Sequence, residues 1–208
     1  PPTTPLLCYR RQRQMCIRDS SMNTADSVIT LSVAPGTMVD IVLSVIDEDG
    51  TVIVDNQNLS PAGEVETIAN LSLYGGEKYE VLVSTEQGEG TDYALMYLDQ
   101  DSYNFVLQGT FFTNGSRNAS LLVETDHFWF FNALSDDSVS FTVTPALDED
   151  PYVELYDHEG SRILIIDDGG SGDPESLENY TILESGFYGI RVGEFDFLEM
   201  DYQITLSK

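Results

Sequence analysis

Asp150-Pro151-Tyr152-Val153-Glu154-Leu155-Tyr156-Asp157-His158-Glu159-Gly160 reads as one β-strand followed by a tight turn. Val153 and Leu155 alternate with polar or amphipathic neighbours, the period-two pattern of a strand that buries one face. Asp157 and Gly160 supply turn chemistry: a short carboxylate that accepts from the turn's backbone amides, and a residue free to take positive φ. The same text stands 110 positions earlier (150 − 40) as Asp40-Ile41-Val42-Leu43-Ser44-Val45-Ile46-Asp47-Glu48-Asp49-Gly50.

Working outward, the correspondence continues. Ile29-Thr30-Leu31-Ser32-Val33 falls on Val139-Ser140-Phe141-Thr142-Val143, Pro35 on Pro145 and Gly76 on Gly186. After a one-residue slip, Tyr79 falls on Tyr188 and Asp92-Tyr93-Ala94-Leu95 on Asp201-Tyr202-Gln203-Ile204. The chain is therefore read as two copies of one module. Apolar residues at alternate positions (Val81, Val83; Ile190, Val192; Ile204, Leu206) and turn signals at Gly75-Gly76, Gly169 to Pro174 and Ser185-Gly186 leave no helical periodicity. This pattern predicts an all-β chain of two tandem, jelly-roll-like antiparallel β-sandwiches.

The first sandwich is expected to be incomplete. Ahead of Asp136 the second copy carries a stretch, Asn104 to Leu134, with the strand-like runs Phe105-Val106-Leu107 and His127-Phe128-Trp129-Phe130-Phe131. Ahead of Asp26 stands instead Arg10-Arg11-Gln12-Arg13-Gln14-Met15-Cys16-Ile17-Arg18-Asp19, which fits neither the repeat nor the acidic composition downstream. Translating a transposase adapter of shotgun sequencing libraries gives those same ten residues. Residues 1–20 are thus expected to be an adapter artefact without structure, on a metagenomic fragment that begins inside a gene. Residues 21–100 would form the truncated first sandwich and 101–208 the complete second one, joined through Asp99-Gln100-Asp101. Stripped of its leading strands, the first should expose a sheet edge and be the less stable half.

Composition narrows the function. Nine Lys+Arg against 36 Asp+Glu give a formal net charge of −27. Such a surface repels phosphate backbones and has no basic patch to release their counterions, which argues against nucleic acid. No run of eighteen apolar residues occurs, so no membrane insertion by a helix is expected. Both cysteines, Cys8 and Cys16, lie in the suspect stretch, so disulfides, zinc thiolates and thiol nucleophiles drop out of the remainder.

The second copy resembles the bacterial pre-peptidase C-terminal domain. Carrying the resemblance, in order, are Gly109, Asp126 to Phe130, Val139 to Val143, Asp150 to Gly160, Gly186-Phe187-Tyr188-Gly189-Ile190-Arg191-Val192 and Tyr202 to Leu206. In the first copy it covers Asp40 to Gly50, Gly76 to Val83 and Tyr93 to Tyr97, with Glu77 and the extra Lys78 departing from the pattern, so a bulged strand entry is expected there. The resemblance implies jelly-roll-like sandwiches that accompany the catalytic units of secreted peptidases and other exported proteins. Some relatives in collagenases bind collagen and calcium. It implies a non-catalytic accessory module of a larger extracellular or cell-surface protein, serving stability, export or attachment, with parent-protein domains upstream.

Reactive motifs are sparse. No nucleophile elbow, HExxH or phosphate loop is present. His127 and His158 are expected in separate strands, as packed residues. Calcium is the one cofactor the sequence suggests, since hard cations take clustered carboxylates and loop carbonyls. The candidate ligands are Asp167, Asp168, Asp173 and Glu175, on a glycine-rich loop; a solvated acidic loop is the competing reading, and Asp148-Glu149-Asp150 is a second acidic loop. Phe195 and Phe197, together with Tyr152, suggest a platform that stacks on sugar rings, so the second function carried forward is a polysaccharide- or fibrous-protein-binding module. Asn58, Asn70, Asn114, Asn118 and Asn179 each open a glycosylation sequon.

Overall fold

The computed structural model describes residues 6–12, 15–17, 26–99 and 104–208. It divides into two compact units, Pro1–Ser102 and Tyr103–Lys208. The expected linker, Asp99 to Asp101, lies outside the described residues apart from Asp99.

The first unit contains β1 (Leu6–Gln12), β2 (Met15–Ile17), β3 (Ser27–Pro35), β4 (Ile41–Asp47), β5 (Val52–Gln57), β6 (Glu66–Leu73), β7 (Tyr79–Thr85) and β8 (Thr91–Asp99). They form two sheets, ordered β1-β8-β3-β6 and β2-β7-β4-β5. The second unit contains β9 (Asn104–Phe111), β10 (Gly115–Leu121), β11 (Thr125–Ala133), β12 (Ser138–Pro145), β13 (Pro151–Tyr156), β14 (Arg162–Ile166), β15 (Glu175–Thr181), β16 (Gly186–Glu194) and β17 (Met200–Ser207). Its sheets run β10-β17-β12-β15 and β14-β13-β16-β11-β9. The two orders correspond strand for strand, with β1 in the place of β10, β2 in that of β11, and no described counterpart of β9.

One expectation is corrected here. Residues 6–12 and 15–17 are not without structure: β1 pairs antiparallel with β8 from Leu6↔Tyr97 to Gln12↔Thr91, and β2 pairs with β7 from Met15↔Val83 to Ile17↔Val81. The physical reason is that a sheet edge offers backbone donors and acceptors that a strand-forming segment can satisfy whatever its sequence. The rest of residues 1–20 lies outside the described residues. The all-β sandwich architecture is as expected and its described ladders are antiparallel, apart from the pairing of β9 with β11, which is parallel. Between them the chain crosses to the other sheet to form β10 and returns, which is the crossover that parallel neighbours require.

Alternating side chains meet between the sheets of each unit. Leu31, Val33, Ile41, Leu43, Val45, Ile68 and Leu95 belong to the first core. Trp129, Phe131, Phe141, Val153, Leu155, Ile190 and Ile204 belong to the second. Each fully buried Leu, Ile or Phe contributes about 1.5–3 kcal/mol. β11 departs from alternation because both its faces are covered: Phe128 and Phe130 are buried on the side away from that core, with Phe130 stacked on Phe187 at 5.2 Å.

The repeated turns use the chemistry read from sequence. Asp47 Oδ1 accepts from the amides of Asp49 and Thr51, and Asp157 Oδ1 from those of Glu159 and Ser161, while Gly50 and Gly160 sit at φ 81° and 83°. Lys78 produces no bulge in the ladder, since β4 and β7 stay in register from Ile41↔Thr85 to Asp47↔Tyr79. The extra residue is taken up in the turn before Tyr79 instead.

Candidate functional site

The densest group of ionisable side chains sits on the five-stranded sheet of the second unit. Adjacent strands β11, β16 and β13 bring Asp126, Arg191 and Glu154 side by side, with Glu154 directly opposite Arg191 in the ladder. Arg191 Nε donates to Asp126 Oδ2 at 2.7 Å, Nη1 to Glu154 Oε2 at 2.8 Å and Nη2 to the Tyr152 hydroxyl at 2.9 Å. Tyr156 donates to Glu154 Oε2 at 2.6 Å, and Arg162 Nη1 pairs with Glu154 Oε1. The guanidinium of Arg191 lies 5.2 Å from the Phe105 ring centre and 5.5 Å from that of Tyr152.

Burial sets the electrostatics. Asp126 is 0% and Glu154 2% exposed. Burial pushes the Asp126 carboxyl above its usual range, opposed by the charge of Arg191. For Glu154 burial acts the same way, but the Tyr156 hydroxyl and the Arg191 and Arg162 guanidiniums outweigh it and hold the carboxyl below its ordinary value. Tyr156, half-buried beside that carboxylate, is pushed up to about 12. Two carboxylates facing two guanidiniums form a neutral group whose lone pairs are already engaged. Such an arrangement holds three strands together.

Gly193 makes the cluster possible. A Cβ at this position would lie 2.3 Å from Tyr152 Cζ and 2.4 Å from Asp126 Oδ1. Tyr152 is therefore part of the ion cluster, not of an aromatic platform with Phe195 and Phe197. Among the described residues of the first unit there is no equivalent: Val42, Ser44, Ile46 and Leu82 stand where the second unit has Tyr152, Glu154, Tyr156 and Arg191.

The four carboxylates expected to hold calcium do not form one donor set. Asp167, Asp168 and Asp173 are exposed, whereas Glu175 is 1% exposed and turned inward. Its Oε1 accepts from the Gly169 amide at 2.7 Å and its Oε2 from that of Asp168 at 3.2 Å. Gly169 is needed for this approach, because a Cβ there would meet Glu175 Oε1 at 2.7 Å. Among the described residues no three of His, Cys, Asp and Glu are grouped so as to hold a metal ion. Glu66 plays the corresponding part in the first unit: Glu66 faces Val33 as Glu175 faces Val143, and its Oε2 accepts from the amides of Leu59 and Ser60 at 2.9 and 2.8 Å.

The two histidines are far apart in role. His127 is on β11, buried, with Nδ1 2.8 Å from the Tyr202 hydroxyl, which also accepts from Trp129 Nε1 at 2.8 Å. Burial lowers the histidine to about 4, so the imidazole is neutral at pH 7. His158 is not on a strand but in the turn after β13, packed over Gly186 with Nε2 3.4 Å from Glu184. Nothing brings the two histidines together as a base and its partner.

Two features escaped the sequence reading. Asn70 and Asn179 occupy the left-handed region at φ 56° and 54°, beside register shifts at Ile29/Leu31 and Val139/Phe141 that recur at the same place in both units. The signal in the sequence is an asparagine at matching positions of the repeat, where a sequon is the more visible pattern. The second is an apolar ridge formed by Leu122 and Val123 with Phe195, Phe197 and Leu198, all exposed; only the two phenylalanines had been singled out.

No family model and no curated protein matches the sequence. Solved structures similar to this chain include the pre-peptidase C-terminal domain of a collagenase from Bacillus anthracis, at 15% identity and a TM-score of 0.39, covering 50% of this chain and 93% of that one. PliG, a periplasmic inhibitor of g-type lysozyme from Aeromonas hydrophila, is similar at 12% identity and a TM-score of 0.35, covering 50% and 95%. CorA, a surface-associated copper-binding protein of Methylomicrobium album BG8, is similar at 11% identity and a TM-score of 0.39, covering 50% and 98%.

Proposed function

We propose that this chain is a pair of non-catalytic accessory β-sandwich modules from a larger secreted or cell-surface protein, serving stability, export or attachment. One observation carries the reading: the second unit's most concentrated acid and base groups, Asp126, Glu154 and Arg191, are spent on one another inside the sheet. Buried Glu66, Glu175 and Glu194 likewise tie loops to strands through backbone amides. A net charge as acidic as −27 suits solubility outside the cell. The test is direct. The purified chain, incubated with casein, gelatin and chromogenic glycosides, should release no product; turnover that disappears in Glu154→Gln would overturn the proposal.

A second reading, a polysaccharide- or fibrous-protein-binding module, is favoured by Phe195 and Phe197, which are 57% and 49% exposed. Retention on insoluble polysaccharide or collagen, lost on substituting either ring, would establish it.

A further inference from the structure

At one end of the second unit, the turn from β10 to β11 and the turn from β16 to β17 are clamped together by a hydrogen bond from the Glu124 amide to the Phe197 carbonyl at 3.1 Å. Leu122 and Val123 on one turn, and Phe195, Phe197 and Leu198 on the other, are between 49% and 61% exposed. Glu124, Asp196 and Glu199 interleave with them and are exposed as well.

These turns are held in shape. The Thr125 amide and hydroxyl both donate to the Leu122 carbonyl, at 3.1 and 2.6 Å. Phe197 N donates to the Glu194 carbonyl at 3.1 Å, and Leu198 N to the carboxylate of the buried Glu194 at 2.6 Å. Phe197 is kept at φ 59° and Glu124 at φ 56°. A bulky L-residue resists that region, so the fold sustains a strained backbone while presenting a phenyl ring to solvent. Apolar side chains displayed on a fixed frame at the end of a sandwich are preorganised for contact.

We propose that this ridge docks a cationic polypeptide segment whose apolar side chains lie next to lysine or arginine. The apolar residues call for an apolar counterpart. Glu124, Asp196 and Glu199 would be stripped of water and left unpaired by a neutral partner, whereas lysine or arginine beside the apolar contact pairs them. The formal charge of −27 adds long-range attraction for such a segment and repels anionic ones. A neutral polysaccharide would use the two rings and leave the interleaved carboxylates without partners, which makes it the less complementary occupant. This inference rests on the reading of the chain as an attachment module and names the surface that attaches.

The test uses the full chain and a synthetic peptide alternating lysine with leucine, titrated calorimetrically at low and high sodium chloride, beside a lysine–serine peptide. Binding should be strong at low salt, weaker at high salt and absent for lysine–serine. Phe197→Gly removes the ring while suiting positive φ, so it should weaken binding about tenfold or more with an unchanged or raised melting temperature. Phe195→Ser should weaken it similarly, and combined Glu124→Gln, Asp196→Asn and Glu199→Gln should flatten the salt dependence. Equal binding by wild type and the Phe variants, or equal binding of both peptides, would overturn the proposal as mere charge adsorption. Retention on insoluble polysaccharide through Phe195 and Phe197 without peptide binding would overturn it in favour of a sugar. Substrate turnover would instead overturn the non-catalytic reading, whatever the peptide does.

Discussion

Tyr152 lies across Gly193 on the β13–β16 ladder, so close that a methyl group on Gly193 would stand 2.3 Å from the ring's Cζ. Neighbouring Asp126 Oδ1 would be 2.4 Å away. Gly193→Ala must therefore push the ring off the sheet and disturb the carboxylate that Arg191 holds. Overpacking of this kind costs about 1–3 kcal/mol. Urea unfolding of the second unit should show that loss, and the further change Tyr152→Ala in the Gly193→Ala background should cost less than Tyr152→Ala alone.

Arg191 neutralises two carboxylates that water barely reaches. Replacing it with Met leaves Asp126 and Glu154 buried and without their shared cation, a change that destabilises by about 3–5 kcal/mol. The loss should be largest at pH 7 and above. As pH falls, the stranded carboxylates of the folded variant protonate and shed their buried charge, so the gap to wild type should narrow toward pH 4. Adding Asp126→Leu and Glu154→Leu should recover a large part of it. A gap that stays constant from pH 8 to pH 4 would show that packing, not charge, dominates.

The strand framework was legible because alternation and turn chemistry are local: Val153 and Leu155 point inward, and Asp157 and Gly160 close the turn, as their neighbours in sequence require. The duplicated text made the same assignment twice. What the sequence hid is non-local. Asp126 and Arg191 are 65 residues apart and meet only because β11 and β16 are neighbours. Glu175 looked like a cation ligand because acidity and glycine content are visible along the chain, whereas its inward rotation onto the Asp168 and Gly169 amides is set by the pleat of β15. Gly193 gave no signal either, since its need arises from Tyr152 on another strand.

His127 links stability to pH. The unfolded chain takes up a proton at an ordinary histidine near 6.5, whereas the folded chain resists until about 4. Its contribution is thus complete above pH 6.5 and declines as pH falls through the window between the two values, by about 3 kcal/mol at the lower end. His127→Gln removes the titration. Below pH 6.5 the stability of wild type should fall more steeply than that of the variant, as read from thermal melts at closely spaced pH. Parallel curves would mean that the imidazole already charges in the folded state.

Glu175 and Glu66 make a matched pair for testing what the buried loop carboxylates do. Each faces the same strand position of its own unit and accepts two backbone amides. Glu175→Ala leaves the amides of Asp168 and Gly169 without that acceptor, and Glu66→Ala does the same to Leu59 and Ser60. Each should cost about 1–3 kcal/mol, the penalty for unmet polar groups, and should quicken hydrogen exchange at those amides alone. Because the Glu175 oxygens are already engaged, millimolar calcium should raise the melting temperature no more than sodium chloride of equal ionic strength. A calcium-specific rise that Glu175→Ala abolishes would mean that the carboxylate turns outward to a cation, and the latch would then be a ligand.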